Sequence, residues 1–113
     1  MNIKIIPENE FKRQFKRLLK RYPSLKDDIR VVQNELMDNP YAGVDLGKGM
    51  RKVRMPIASK GKGKSGGARV ITYSLQPNND NFVLRLLTIY DKSEIENVSD
   101  QYLKQIIDDI DKN

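Results

Sequence analysis

The sequence predicts an α+β fold in which an N-terminal helical hairpin packs on a small antiparallel sheet and a C-terminal helix follows. Three observations carry this. Two early segments place apolar residues at helical spacing, two later β-rich runs are separated by a dense turn cluster, and the final stretch returns to helical spacing. At 113 residues the chain reads as a single domain, residues 1–113. Its 38% hydrophobic content supplies one small core. Cysteine and histidine are both absent, which removes disulfides, thiolate metal sites, thiol nucleophiles and imidazole acid–base chemistry. No apolar run approaches the ~20 residues of a membrane span, and Asn2 to Pro7 is too short for the apolar region of a secretory signal. The expectation is a soluble, cytoplasmic protein with no membrane contact.

The opening run Ile3 to Ile6 is β-branched and ends at Pro7, which places it as a strand at a sheet edge, since Pro7 cannot donate to a ladder. Phe11, Phe15, Leu18, Leu19 and Tyr22 then form the stripe of an amphipathic helix that stops before Pro23. Its opposite face carries Lys12, Arg13, Lys16, Arg17, Lys20 and Arg21. Ser24 with Asp27 resembles a capping box, and Leu25, Ile29, Val32 and Leu36 continue a second helix to Asn39-Pro40. Tyr41 to Gly49 has three glycines and no helical period, and reads as a loop. Val53, Met55 and Ile57 alternate with Lys52 and Arg54, a strand with one basic face. Ala68 to Leu75 and Phe82 to Tyr90 read as an antiparallel hairpin around Gln76 to Asn81. The second of these runs is apolar in both phases, as a central strand covered on both sides would be. Ser99 caps a final helix carrying Leu103, Ile106, Ile107 and Ile110, with Val98 and Leu103 placed as a hydrophobic staple.

Charge points to the class of partner. Lys and Arg total 21 against 15 Asp and Glu, a net +6 with a pI near 9.6, which favours anionic partners such as nucleic acid. The distribution is uneven: residues 1–92 hold 19 basic and 9 acidic side chains, whereas residues 93–113 hold 2 and 6.

Lys60 to Gly67 reads Lys-Gly-Lys-Gly-Lys-Ser-Gly-Gly. Gly61, Gly63 and Gly66 satisfy a dinucleotide fingerprint, and Gly63-Lys64-Ser65 mimics the end of a P-loop. Both motifs need a helix next, and the β-like Ala68 to Tyr73 follows instead. No cofactor is expected. What remains is a loop whose Lys60, Lys62 and Lys64 can approach a phosphate chain closely, because glycine removes the steric barrier. Lys52 and Arg54 precede it and Arg69 follows, so antiparallel pairing gathers all three at its base. Like charges side by side cost stability unless an anion joins them. That pattern marks a phosphate site.

The stretches Leu46-Gly47-Lys48-Gly49-Met50-Arg51-Lys52-Val53-Arg54, Lys60 to Ile71, and Leu87-Thr88-Ile89-Tyr90-Asp91-Lys92-Ser93-Glu94 together resemble toxins of the RelE/ParE superfamily. The HigB-like branch is the nearest in pattern, and the resemblance spans roughly residues 8 to 98. It implies a RelE/ParE-like fold, a toxin–antitoxin module with a cognate antitoxin, operator DNA bound only through that antitoxin, and ribosome-dependent cleavage of mRNA that inhibits translation. The basic body makes an acidic antitoxin segment that orders on binding the natural plug. The acidic tail folding over the site in cis is the competing idea; the apolar face of the last helix argues instead for a structural element. Two other function classes stay open, a ParE-like inhibitor of DNA gyrase and a non-enzymatic RNA-binding module.

Cleavage of RNA by its own 2′-oxygen needs positioning, charge stabilisation, a proton acceptor and a donor, and no metal is obligatory. The resemblance aligns Arg69 with an arginine on the strand after the loop, where it would brace the scissile phosphate. Arg54 and Lys52 match two basic positions on the preceding strand, Arg54 as phosphate ligand and Lys52 as a proton carrier. Lys92, in phase with Tyr90 at the end of its strand, would be base or leaving-group acid. Tyr90 and Tyr73 are candidates for stacking on a splayed base. Several family members place a tyrosine shortly after this strand; here only Tyr102, in the last helix, is on offer.

Overall fold

The computed structural model describes residues 2–61, 66–75 and 80–112. Their order is strand β1 (Asn2–Pro7), helix α1 (Asn9–Leu19), helix α2 (Leu25–Asp38), strands β2 (Val44–Gly47) and β3 (Met50–Met55), a 3-10 turn (Ala58–Lys60), strands β4 (Ala68–Tyr73) and β5 (Asn81–Asp91), and helix α3 (Asp100–Asp111). The class is α+β, with one five-stranded sheet in the order β1-β5-β4-β3-β2. Among the described residues no helix is long and apolar enough to cross a membrane. Residues 76–79 of the expected hairpin turn lie outside the described residues.

Two expectations about the sheet need correcting. It is mixed rather than purely antiparallel: β1 precedes the helices and runs parallel to β5, from Asn2 opposite Asn81 to Pro7 opposite Leu86. Pro7 does sit at an edge, as its missing N–H requires. The other correction is β2, which was expected as loop. It pairs antiparallel with β3 through a turn in which Lys48 and Gly49 both have positive φ, the geometry of tight hairpins. All four β2 residues are exposed, so no apolar alternation marked it.

The sheet is covered on both faces. On one, α1 and α2 bring Phe11, Leu18, Leu25, Val32 and Leu36 against Val53, Met55, Val70, Leu84 and Ile89. On the other, α3 sets Leu103 and Ile106 against Met50, Ile71, Tyr73, Leu87 and Tyr90. β5 serves both cores by alternation, and its ladder with β4 slips: Ile71 faces Thr88 but Thr72 faces Leu86, leaving Leu87 as an extra residue. Such a bulge inverts which residues face which side. Leu84 and Leu86 face the helical pair below it, Ile89 does so above it, and Tyr90 is thereby turned to the α3 side.

The helix ends are held differently from one another. Ser99 accepts from the Tyr102 N–H at 3.1 Å and Val98 packs in the same cluster as Leu103, as the cap and staple pattern predicts. Ser24, by contrast, forms no capping box and is itself in αR geometry. Its hydroxyl donates to Asp28 at 2.6 Å and accepts from the Ser59 N–H at 2.9 Å, and Asp28 accepts from the Ala58 N–H at 3.2 Å. The start of α2 thus anchors the turn that leads into the lysine-glycine loop.

Candidate phosphate-binding site

Alternation along β3 and β4 decides which basic residues meet. Met55 and Val53 turn to the first core, so Arg54 and Lys52 turn to the α3 face; on β4 the same parity sends Arg69 and Ile71 there. Register does the rest. Arg54 stands directly opposite Arg69, and Tyr90 stands opposite Arg69 on the other side, so one cross-strand row holds two guanidiniums and a phenol. Lys52 lies in the next row, opposite Ile71.

The two arginines differ in environment. Arg69 is 3% exposed, and its Nη1 donates to the Ala68 carbonyl at 3.1 Å. Burial lowers its pKa and the neighbouring Arg54 charge lowers it further, although a guanidinium stays charged at neutral pH. Arg54 is exposed. A buried and an exposed guanidinium directly across a ladder repel, and a phosphate held by the exposed Arg54 fork, with the covered Arg69 charge behind it, relieves the repulsion. Lys52 is held at one side: its Nζ donates to Asn97 Oδ1 at 3.1 Å. A cavity of about 190 Å³ opens there, lined by Lys52, Ile71, Tyr90, Asn97, Asp100 and Leu103.

Lys60 is not in this group. Its ammonium is only 10% exposed and donates to Asp91 Oδ1 at 2.8 Å, to the Gly66 carbonyl at 3.0 Å and to Ser93 Oγ at 3.1 Å. It also lies 5.4 Å from the ring centre of Tyr22, a residue of the first core, so it belongs to the helical-pair side of the sheet. The phosphate role expected for Lys60 is therefore replaced by an internal one. Joining residue 60 to residue 66, it closes the base of the loop. Gly67 completes that base, because a Cβ there would meet the Met55 carbonyl oxygen at 2.2 Å. Lys62 and Lys64 lie outside the described residues.

Lys92 stands one step beyond β5, in a turn, where its N–H donates to the Gly67 carbonyl at 3.2 Å. Its side chain is exposed and has no hydrogen bond or ion pair among the described residues. Tyr90 and Tyr73 are 3% and 9% exposed within the second core, which leaves almost none of either ring for a base to stack on; the stacking role expected for both does not fit. Tyr102 is no free base either. Its hydroxyl is bonded to Glu10 and to Thr88, and burial together with the Glu10 carboxylate pushes its pKa up to about 12.

Sequence reasoning missed three residues that shape the site: Asp91, Tyr22 and Asn97. Asp91 is fully buried and accepts from Lys60, from Tyr22 OH at 2.5 Å and from the Ser93 N–H and hydroxyl at 2.9 and 2.7 Å. Burial by itself would raise its pKa; these bonds outweigh it and hold the carboxyl well below the usual range. Asp91 ends an apolar strand, and a carboxylate in that position was the one available signal. No protein-family model matches the chain.

Proposed function

We propose that the chain is the toxin of a toxin–antitoxin module, a metal-independent endoribonuclease of RelE/ParE type and HigB-like pattern. It cuts mRNA on the ribosome and is silenced by an acidic antitoxin, through which alone it meets operator DNA. The observation that carries this reading is the row in which Arg54 faces the buried Arg69, with Lys52 in the next row. The exposed Arg54 fork on the phosphate, backed by the buried Arg69 charge, stabilises the charge that grows on its oxygens as the 2′-oxygen attacks. Lys52, steadied by Asn97, and Lys92, exposed beyond Tyr90, are the groups placed to move protons. An inhibitor of gyrase acting by protein contact has no need of paired guanidiniums.

Mapping transcript 5′ ends after a brief induction tests the reading in cells. The expected result is new ends phased with codons inside translated regions. DNA breaks without such ends would favour the gyrase reading, and neither would favour an RNA-binding module.

A further inference from the structure

Helix α1 and the turn that follows it separate six cations into two rows of different fate. The arginine row is tied down. Arg13 pairs with Glu10 at 2.6 Å, Arg17 donates to Gln14 at 3.1 Å and reaches Glu94 at 3.3 Å, and Arg21 meets Glu94 at 2.7 Å. The lysine row is not. Lys12, Lys16 and Lys20 are all exposed, and none of their side chains has a hydrogen bond or ion pair among the described residues. They recur at i, i+4 and i+8, so about 12 Å of helix presents one ammonium per turn. Neighbouring like charges at i, i+4 destabilise a helix, and a cation near its N-terminus, as Lys12 is, opposes the helix dipole. Glu10 is the only acid on α1, and it is already engaged by Arg13, Gln14 and Tyr102. Nothing on the helix offsets the lysines.

We infer that the Lys12-Lys16-Lys20 row is a second anion-binding surface, distinct from the Arg54–Arg69 row, and that its partner is the phosphate backbone of folded RNA. A regular chain of phosphates matches a regular chain of point-charge donors, and binding there is independent of sequence. The inference stands whether or not the arginine row cleaves RNA. Each lysine that neutralises a phosphate releases about one counterion, so the row should appear in the salt dependence of binding.

The test measures binding of a fluorescein-labelled 20-base-pair RNA duplex to the full chain between 50 and 300 mM salt. It compares wild type, the triple variant Lys12→Gln, Lys16→Gln, Lys20→Gln, and a control that removes the same charge elsewhere (Lys26→Gln, Lys104→Gln, Lys112→Gln). The expected result is a slope of log affinity against log salt shallower by about 2 to 3 in the row variant, and by less than about 1 in the control. The row variant should melt within a few degrees of wild type, because the repulsion it removes is offset by the loss of Lys16 and Lys20 from the C-terminal end of the helix dipole. Equal losses in both variants would reduce the effect to net charge and overturn the inference. So would unchanged duplex binding in the row variant, or binding by wild type to phosphatidylserine vesicles but not to the duplex.

Discussion

Replacing Arg69 with alanine is expected to cut the single-turnover rate of RNA cleavage by ~10² to 10³ while leaving the protein folded, the effect of removing one preorganised charge worth ~3 to 4 kcal/mol in the transition state. The fold should tolerate it. The change removes a buried charge that stands directly against Arg54, so one source of repulsion disappears along with the buried packing. Arg69→Lys should recover only part of the rate, because an ammonium keeps the charge behind Arg54 but not the planar guanidinium that fills this buried position. A folded Arg69→Ala protein with undiminished cleavage would remove Arg69 from the site.

The largest effect on stability is expected at Asp91. Asp91→Asn leaves the Lys60 ammonium, 10% exposed, without its anion, and breaking one partner of a buried pair costs ~3 to 5 kcal/mol. That is a large share of the ~5 to 15 kcal/mol that holds a small domain together. Urea unfolding should therefore show a strongly lowered midpoint. Acid titration should show the same pair. The carboxyl's folded-state pKa lies below its unfolded value, so its contribution is fully present above about pH 4 and is lost as the pH falls from there toward the folded-state value. Asp91→Asn should flatten that limb of the stability curve. An Asp91→Asn protein as stable as wild type, with an unchanged acid limb, would show that the contact does not hold the loop base.

The outcome at Lys60 shows where sequence reading stops. Spacing identified α1, α2 and α3, and antiparallel pairing across the lysine-glycine loop gathered Lys52, Arg54 and Arg69 at its base. Those are local signals, written at intervals of two or three to four residues. The bulge at Leu87 is not local. It becomes visible only when β5 is set against β4, and it is what turns Tyr90 into the second core beside Arg69. Likewise, nothing in Lys-Gly-Lys-Gly-Lys distinguishes the lysine that folds inward from its neighbours. The choice is made by Asp91, thirty-one residues away, and by Tyr22 beyond the first helix. β2 escaped for the opposite reason: it buries nothing, and only the Gly47-Lys48-Gly49 turn marks it. The parallel pairing of β1 had no signature in its own residues, since Ile3 to Ile6 would serve either direction.

The central claim is that paired guanidiniums, without a metal, promote attack of the RNA's own 2′-oxygen on the adjacent phosphorus. The chemistry of the cut ends tests it most directly. RNA cleaved by the purified protein on ribosomes should carry a 2′,3′-cyclic phosphate or its opened form on the upstream fragment and a 5′-hydroxyl on the downstream one, read by mass spectrometry. Ends with a 3′-hydroxyl and a 5′-phosphate would contradict the account.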